Sequence, residues 1–330
     1  MISGTVILAG QLLSTAFACG LNLYATVVLL GVAARLELVR LPPGTTGLQD
    51  TVVLGFAAAL FVLGFVLDRV RFAGNAWEAV HTLIRPAAAG LLAAVALQQL
   101  PWYVTAGAAI GAALMALAAH TTKSGIRLII STRGGWAARH RGVLLMLLGL
   151  VEDFAAVAIV LTTLLVPETA AIVVGISLLL LLFAGPRLWR AALLGTFAIV
   201  ARLRGFFGRP GWRSRDQLPA AVRRVIPVEP LGRSPPRAVS AAVTGLRRVP
   251  AYRSGWLVFT YDGPQFVYQS LLRARLTPLP AAAAVNVRAG ILTDMVEVRS
   301  AGNGRSFTLY LLKDGPPVGV AAAELLPPAA

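Results

Sequence analysis

"LLGLVEDFAAV", Leu147 to Val157, lies in the stretch that decides the class of this fold. From Gly142 to Pro167 the only charged residues are Glu152 and Asp153. A helix of that length, rising about 1.5 Å per residue, crosses a hydrocarbon layer of about 30 Å. Two adjacent carboxylates then fall close to mid-membrane. An ionised carboxylate there costs at least about 2.5 to 3.5 kcal/mol, so the pair must be protonated, matched by cations or reached by water.

Composition extends the same reading outward. The 330 residues are 57% hydrophobic and 13% charged, with a mean hydropathy of +0.74, which excludes an ordinary soluble domain and predicts an integral membrane protein. No charge precedes Arg35, so the basic start of a cleaved signal peptide is missing and Val6 to Ala34 reads as a retained first span. Its middle, "CGLN" (Cys19 to Asn22), is a candidate break. The net charge of +16 comes largely from the C-terminal part, where twenty of the thirty basic residues lie from Arg187 onward. That distribution points to a cytoplasmic flank facing anionic lipid, with no nucleic acid expected as partner. Cys19 is the only cysteine and the three histidines are dispersed, so neither a disulfide, a metal nor another cofactor is expected. No nucleophile elbow, P-loop or metal-binding His-Glu cluster is present, and no enzymatic activity is expected.

Six apolar segments follow along the chain. Between the second, Thr51 to Leu67, and the third, starting at Pro86, "DRVRFAGNAWEAVHTLIRP" reads as a cytoplasmic loop. Asn75 and Glu78 have the spacing of a capping box for a short interfacial helix there. Pro86 to Thr122 has no formal charge over thirty-seven residues, enough for a hairpin turning at Pro101-Trp102-Tyr103. Segment five is the opening stretch, and segment six runs from Thr169 to Arg202. The positive-inside rule then puts the arginine-rich loops and both termini in the cytoplasm of a bacterial inner membrane. Residues 1–204 form the helical domain, 205–234 a basic Pro-rich linker, and 235–330 a small cytoplasmic β-rich domain with hairpin signals at Asp262-Gly263 and Gly302-Asn303-Gly304. The strand succession loosely resembles the barrel of bacterial pleckstrin-homology-like domains.

"LGFVLD" (Leu63 to Asp68) matches "LGLVED" (Leu148 to Asp153) at four of six positions, and "CGLN" has a counterpart in "SGIR" (Ser124 to Arg127). Two units of three spans related in this way form an inverted repeat, an architecture common in secondary transporters. The candidate pathway residues are Glu152 and Asp153, with His120, Lys123 and Arg127 as a basic stripe at helical spacing. Gly125 would loosen the stripe's helix, and Gly20 and Asn22 would open backbone groups in the first segment. Competing readings make Glu152 and Asp153 a structural clasp and the stripe a snorkelling flank. Asp68, Trp77, Glu78, His81 and Arg85 are secondary candidates, read as loop pairing and membrane anchoring.

"GLNLYATVVLLGVAAR", "AWEAVHTLIRPAAAGLLAA", "AHTTKSGIRL" and "VEDFAAV" resemble the segments of an uncharacterised bacterial membrane-protein family, domain of unknown function 4126. The resemblance covers roughly Gly20 to Ala170 and carries over His120, Lys123, Arg127, Glu152 and Asp153. The chain departs from the pattern after Arg127, where "STRGGWAARH" replaces an Asn-Ser-Pro-like turn, and the C-terminal domain lies outside it. The resemblance implies a fold and no activity. The residues themselves point to a small-solute or ion transporter, proton-coupled through the Glu-Asp pair. The alternative is a non-transporting scaffold that binds a protein partner or anionic lipid through its C-terminal domain.

Overall fold

The computed structural model describes residues 4–67, 71–132, 139–208, 210–227, 235–270, 273–302 and 304–326. The chain divides into two compact units, Met1–Ala192 and Leu193–Ala330.

The first unit is helical: α1 (Gly4–Arg35), a 3-10 turn (Pro43–Gln49), α2 (Thr51–Leu67), α3 (Arg71–Ala96), α4 (Trp102–Thr132), α5 (Arg141–Leu165) and the start of α6 (Pro167–Phe207). By length and apolar composition alone, α1, α3, α4 and α5 could each cross a membrane, and α6 adds a fifth if its two pieces, bent by 58°, are taken as one span. Helix α2 is shorter, at 17 residues. Phe56, Phe65, Phe154 and Phe183 stand exposed on α2, α5 and α6, the arrangement of helices against lipid.

Helix α1 departs most from expectation. Asn22 has φ −147° and ψ 97°, so the helix breaks there. Leu8 and Leu12 of the first arm line the same cavity as Leu30 of the second, together with Ala89 and Ala96 of α3 and Thr163 of α5. In a straight helix, Leu8 and Leu30 would stand about 33 Å apart. The neighbours agree. Ala16 packs with Ala112 and Ala116 of α4, whereas Leu30 packs with Val160 of α5. The arms therefore fold back on one another as a helical hairpin with its tip at Gly20-Leu21-Asn22, and α1 does not run through as one straight rod.

From Arg71 to Pro86 the chain is not the expected loop with a short capped helix: it belongs to α3, and Asn75 lies inside that helix. Pro86 is also internal, and so does not open segment three. Proline tolerance in a helix packed among other helices explains the continuity, since neighbouring groups satisfy the backbone atoms a proline frees. Asp68 lies outside the described residues; the rest of "LGFVLD", Leu63 to Leu67, ends α2, whereas its match Leu148 to Asp153 lies in the interior of α5. Ser124 to Arg127 sits in uninterrupted helix, unlike the break at Cys19 to Asn22.

The second unit holds an antiparallel sheet in the order β5-β4-β3-β2-β8-β7-β6, where β2 is Arg237–Thr244, β3 Arg253–Thr260, β4 Gly263–Ser270, β5 Arg273–Pro278, β6 Ala282–Arg288, β7 Thr293–Ser300 and β8 Ser306–Leu312. The short strand β1 (Arg213–Ser214) pairs with β2, and α7 (Ala220–Arg223) packs Val222 against Val258 and Val267, so part of the stretch read as linker is built into the sheet. Helix α8 (Val318–Ala323) adds Ala321 and Ala322 to a core of Leu257, Phe266, Val296 and Leu309. The β3–β4 hairpin turns at Tyr261-Asp262, with Gly263 at φ +104°, a left-handed position suited to glycine after a tight turn. Asn303 of the other hairpin signal is outside the described residues.

Candidate functional site

Six ionisable side chains meet at the tip of the α1 hairpin, and they come from three different helices. Glu78 and Arg85 lie on α3, Lys123 and Arg127 on α4, and Glu152 and Asp153 on α5. Lys123 Nζ stands between two carboxylates, 3.1 Å from Glu78 Oε1 and 3.3 Å from Glu152 Oε2. Arg127 Nη2 closes on Glu152 Oε2 at 2.8 Å, and Arg85 Nη2 stands 3.6 Å from Glu78 Oε1. Arg85, Lys123 and Glu152 are buried. Three carboxylates against three cations leave no formal charge on the cluster, which meets the condition for burying such groups.

The hairpin tip joins the cluster through its backbone. A helix end leaves carbonyls without partners, and here the first arm's end is served by side chains. Arg85 Nη1 donates to Gly20 O at 2.9 Å and to Leu21 O at 2.8 Å, and Lys123 Nζ donates to Leu21 O at 3.3 Å. Asn22 starts the second arm. Its Oδ1 accepts from Ala25 N at 3.1 Å as an N-cap, and its Nδ2 donates to Asp153 Oδ1 at 2.7 Å. Gly20 permits the tip's close approach to α4, because a Cβ there would clash with Ala116 O.

Two histidines flank the cluster. His81 Nδ1 lies 2.7 Å from Trp77 O, which can only accept, so in the neutral ring Nε2 accepts from the Tyr24 hydroxyl at 2.8 Å. Thr82 donates to Glu78 O and sits 3.0 Å from His120 Nε2, so it accepts from that nitrogen. His120 Nδ1 then faces Arg85 Nη1 at 3.3 Å and Glu78 Oε2 at 3.5 Å. Among the described residues, Glu78 Oε2 and Arg85 Nε are buried without a hydrogen-bond partner.

The geometry reorders the residues proposed from sequence. Glu152 and Asp153, adjacent on a helix, point about 100° apart, Glu152 to Lys123 and Arg127 and Asp153 to Asn22. Lys123 and Arg127 turn inward. Gly125 does not loosen α4; it lets α6 pack closely, since a Cβ there would clash with Leu188 O. Glu78 and Arg85, ranked second as loop residues, are central, and Trp77 and His81 stand beside them with their rings 4.3 Å apart. The spacing of Glu78, Thr82, Arg85 and Ala89 along one helical face was the available signal. The described residues contain no group of three or more His, Cys, Asp or Glu arranged to hold a metal ion.

Among protein families, the one described as Domain of unknown function (DUF4126) matches residues 9–187, more than half of the chain and every residue of this cluster. No curated protein and no solved structure matches the chain.

Proposed function

Because the chain belongs to the DUF4126 family, whose description carries no activity, we propose from the site itself that this is a membrane transporter for a small solute or ion, working through the cluster at the hairpin tip. The observation that carries the reading is the convergence of six mutually neutralising ionisable side chains on a helix break inside the helical unit. Buried ion pairs are weak contributors to stability compared with apolar packing, so stability alone gives little reason for them. Interrupted helices whose ends meet charged side chains are a recurrent way to build a site for a polar solute within a membrane. The unpartnered Glu78 Oε2 and Arg85 Nε add an acceptor and a donor that a solute or water could satisfy.

In this reading α1 enters and returns at one end of the bundle, and α2 to α6 supply five crossings. Arg71 at the start of α3 and Arg139 and Arg141 at the start of α5 belong to one end, which the positive-inside rule assigns to the cytoplasm. The start of α1 then lies at the opposite face, in contrast to the expectation of both termini inside.

The alternative of a clasp in a non-transporting scaffold draws on the balanced charges and on Asp153 being tied to Asn22. Water access separates the two. In a Cys19→Ser background, Asp153→Cys is treated with a membrane-impermeant thiol reagent in sealed vesicles of each orientation. Transport predicts labelling from at least one side; protection from both sides in folded protein refutes it in favour of the clasp.

A further inference from the structure

The cavity between the arms of α1 is separate from the charged cluster. It measures about 190 Å³ and is walled by both arms, the 3-10 turn, α3 and α5. Space of this size holds about six waters by volume, but waters need polar partners. Thr45 and Thr163 line it, yet their hydroxyls already donate to Pro42 O at 2.8 Å and Ile159 O at 2.6 Å. Gln11 and Thr15 remain as polar lining, against a majority of Leu and Ala. The cavity is poorly suited to water and well suited to hydrocarbon.

Arg40 also lines it. This arginine is exposed and has no ion-pair partner among the described residues. It lies in the connection after α1, at the end of the bundle where Trp102 and Tyr103 start α4. Aromatic residues of that kind favour the membrane–water boundary, so the cation stands at headgroup level with apolar space below it. We propose that this cavity binds a single-chain amphiphile with an anionic head, the chain between the arms of α1 and the head on Arg40.

The test uses the full-length protein, delipidated in a neutral detergent and titrated with saturated fatty acids of increasing length, with adducts counted by native mass spectrometry. Each methylene that enters tightens binding by about fourfold, with a plateau once the cavity is full. Arg40→Gln weakens the acids by about three- to tenfold and leaves the matching alcohols unchanged. Gln11→Trp, and independently Leu41→Trp, abolish the length dependence by filling the space. Titration with single-chain lysophosphatidylglycerol and lysophosphatidylcholine then distinguishes a lipid phosphate from a free carboxylate as the source of the head. Affinity independent of chain length, or unchanged in Arg40→Gln and both tryptophan variants, overturns the proposal. None of these substitutions touches the charged cluster, so failure here leaves the transport reading standing.

Discussion

Replacing Arg85 by Met tests whether the cluster holds the hairpin tip. Arg85 is the side chain that donates to Gly20 O, so its loss leaves that buried carbonyl unserved, at about 2 kcal/mol. Leu21 O keeps Lys123. Glu78 loses one of its cations but retains Lys123 at 3.1 Å, which limits that part to about 1–2 kcal/mol. The sum is about 3–4 kcal/mol. For a unit of this size each kcal/mol moves the melting temperature by about 2–4 °C, giving a drop of about 6–16 °C. Arg85→Lys keeps the charge but has one nitrogen where the guanidinium places Nη1 on both carbonyls and Nη2 toward Glu78, so its loss is smaller than that of Arg85→Met, about 1–2 kcal/mol. Cys19 supplies the assay: it is the only cysteine, fully buried, and adjacent to Gly20, so a thiol-reactive dye reports opening of the tip on heating. If Arg85→Met exposes Cys19 within about 2 °C of the wild-type temperature, the cluster does not anchor the tip and the argument fails.

Three further outcomes are expected. With Cys19→Ser, a cysteine pair at Leu12 and Leu30 cross-links through a short bismaleimide, whereas a straight helix would hold them about 27 Å apart and give no product. Gly20→Ala and Gly125→Ala each lower stability by about 1–3 kcal/mol, because the added Cβ clashes with the backbone oxygen of Ala116 or Leu188; Gly111→Ala, with open space around it, leaves the melting temperature unchanged or raised. Asn22→Ala removes both the cap on Ala25 and the partner of Asp153, and loses about 1–2 kcal/mol in the Cys19 dye assay; an unchanged melt would mean that neither bond matters.

The membrane class, the apolar segments from Thr51 to Leu67 and from Gly142 onward, the two-part chain and the β hairpins were legible because each depends on local composition and period. The break at Cys19 to Asn22 was legible too, through Gly20 and Asn22 in an otherwise apolar run. Pro86 misled: taken as a boundary, it cut α3 in two and put Glu78 and Arg85 in a loop. The face they share with Thr82 and Ala89 continues across the proline, so periodicity carried information that the proline rule overrode. Asp153 was read with Glu152 because they are neighbours in sequence, although adjacent residues on a helix face different partners.

By itself, then, the sequence determined that this chain buries helices in a membrane, that charges lie within them, and that a strand-rich region follows. These are properties of the chain's own hydropathy and repeat lengths, set before any two helices meet. Only the tertiary structure decided where α1 goes after Asn22 and which charge answers which. An apolar arm packs equally well as part of a through-going rod or folded back. The direction is chosen by Arg85, Lys123 and Asp153, which reach the tip from sequence distances of 64, 102 and 131 residues. Electrostatic pairing acts over a few ångströms of space, and nothing in local sequence encodes which distant helix will supply the partner.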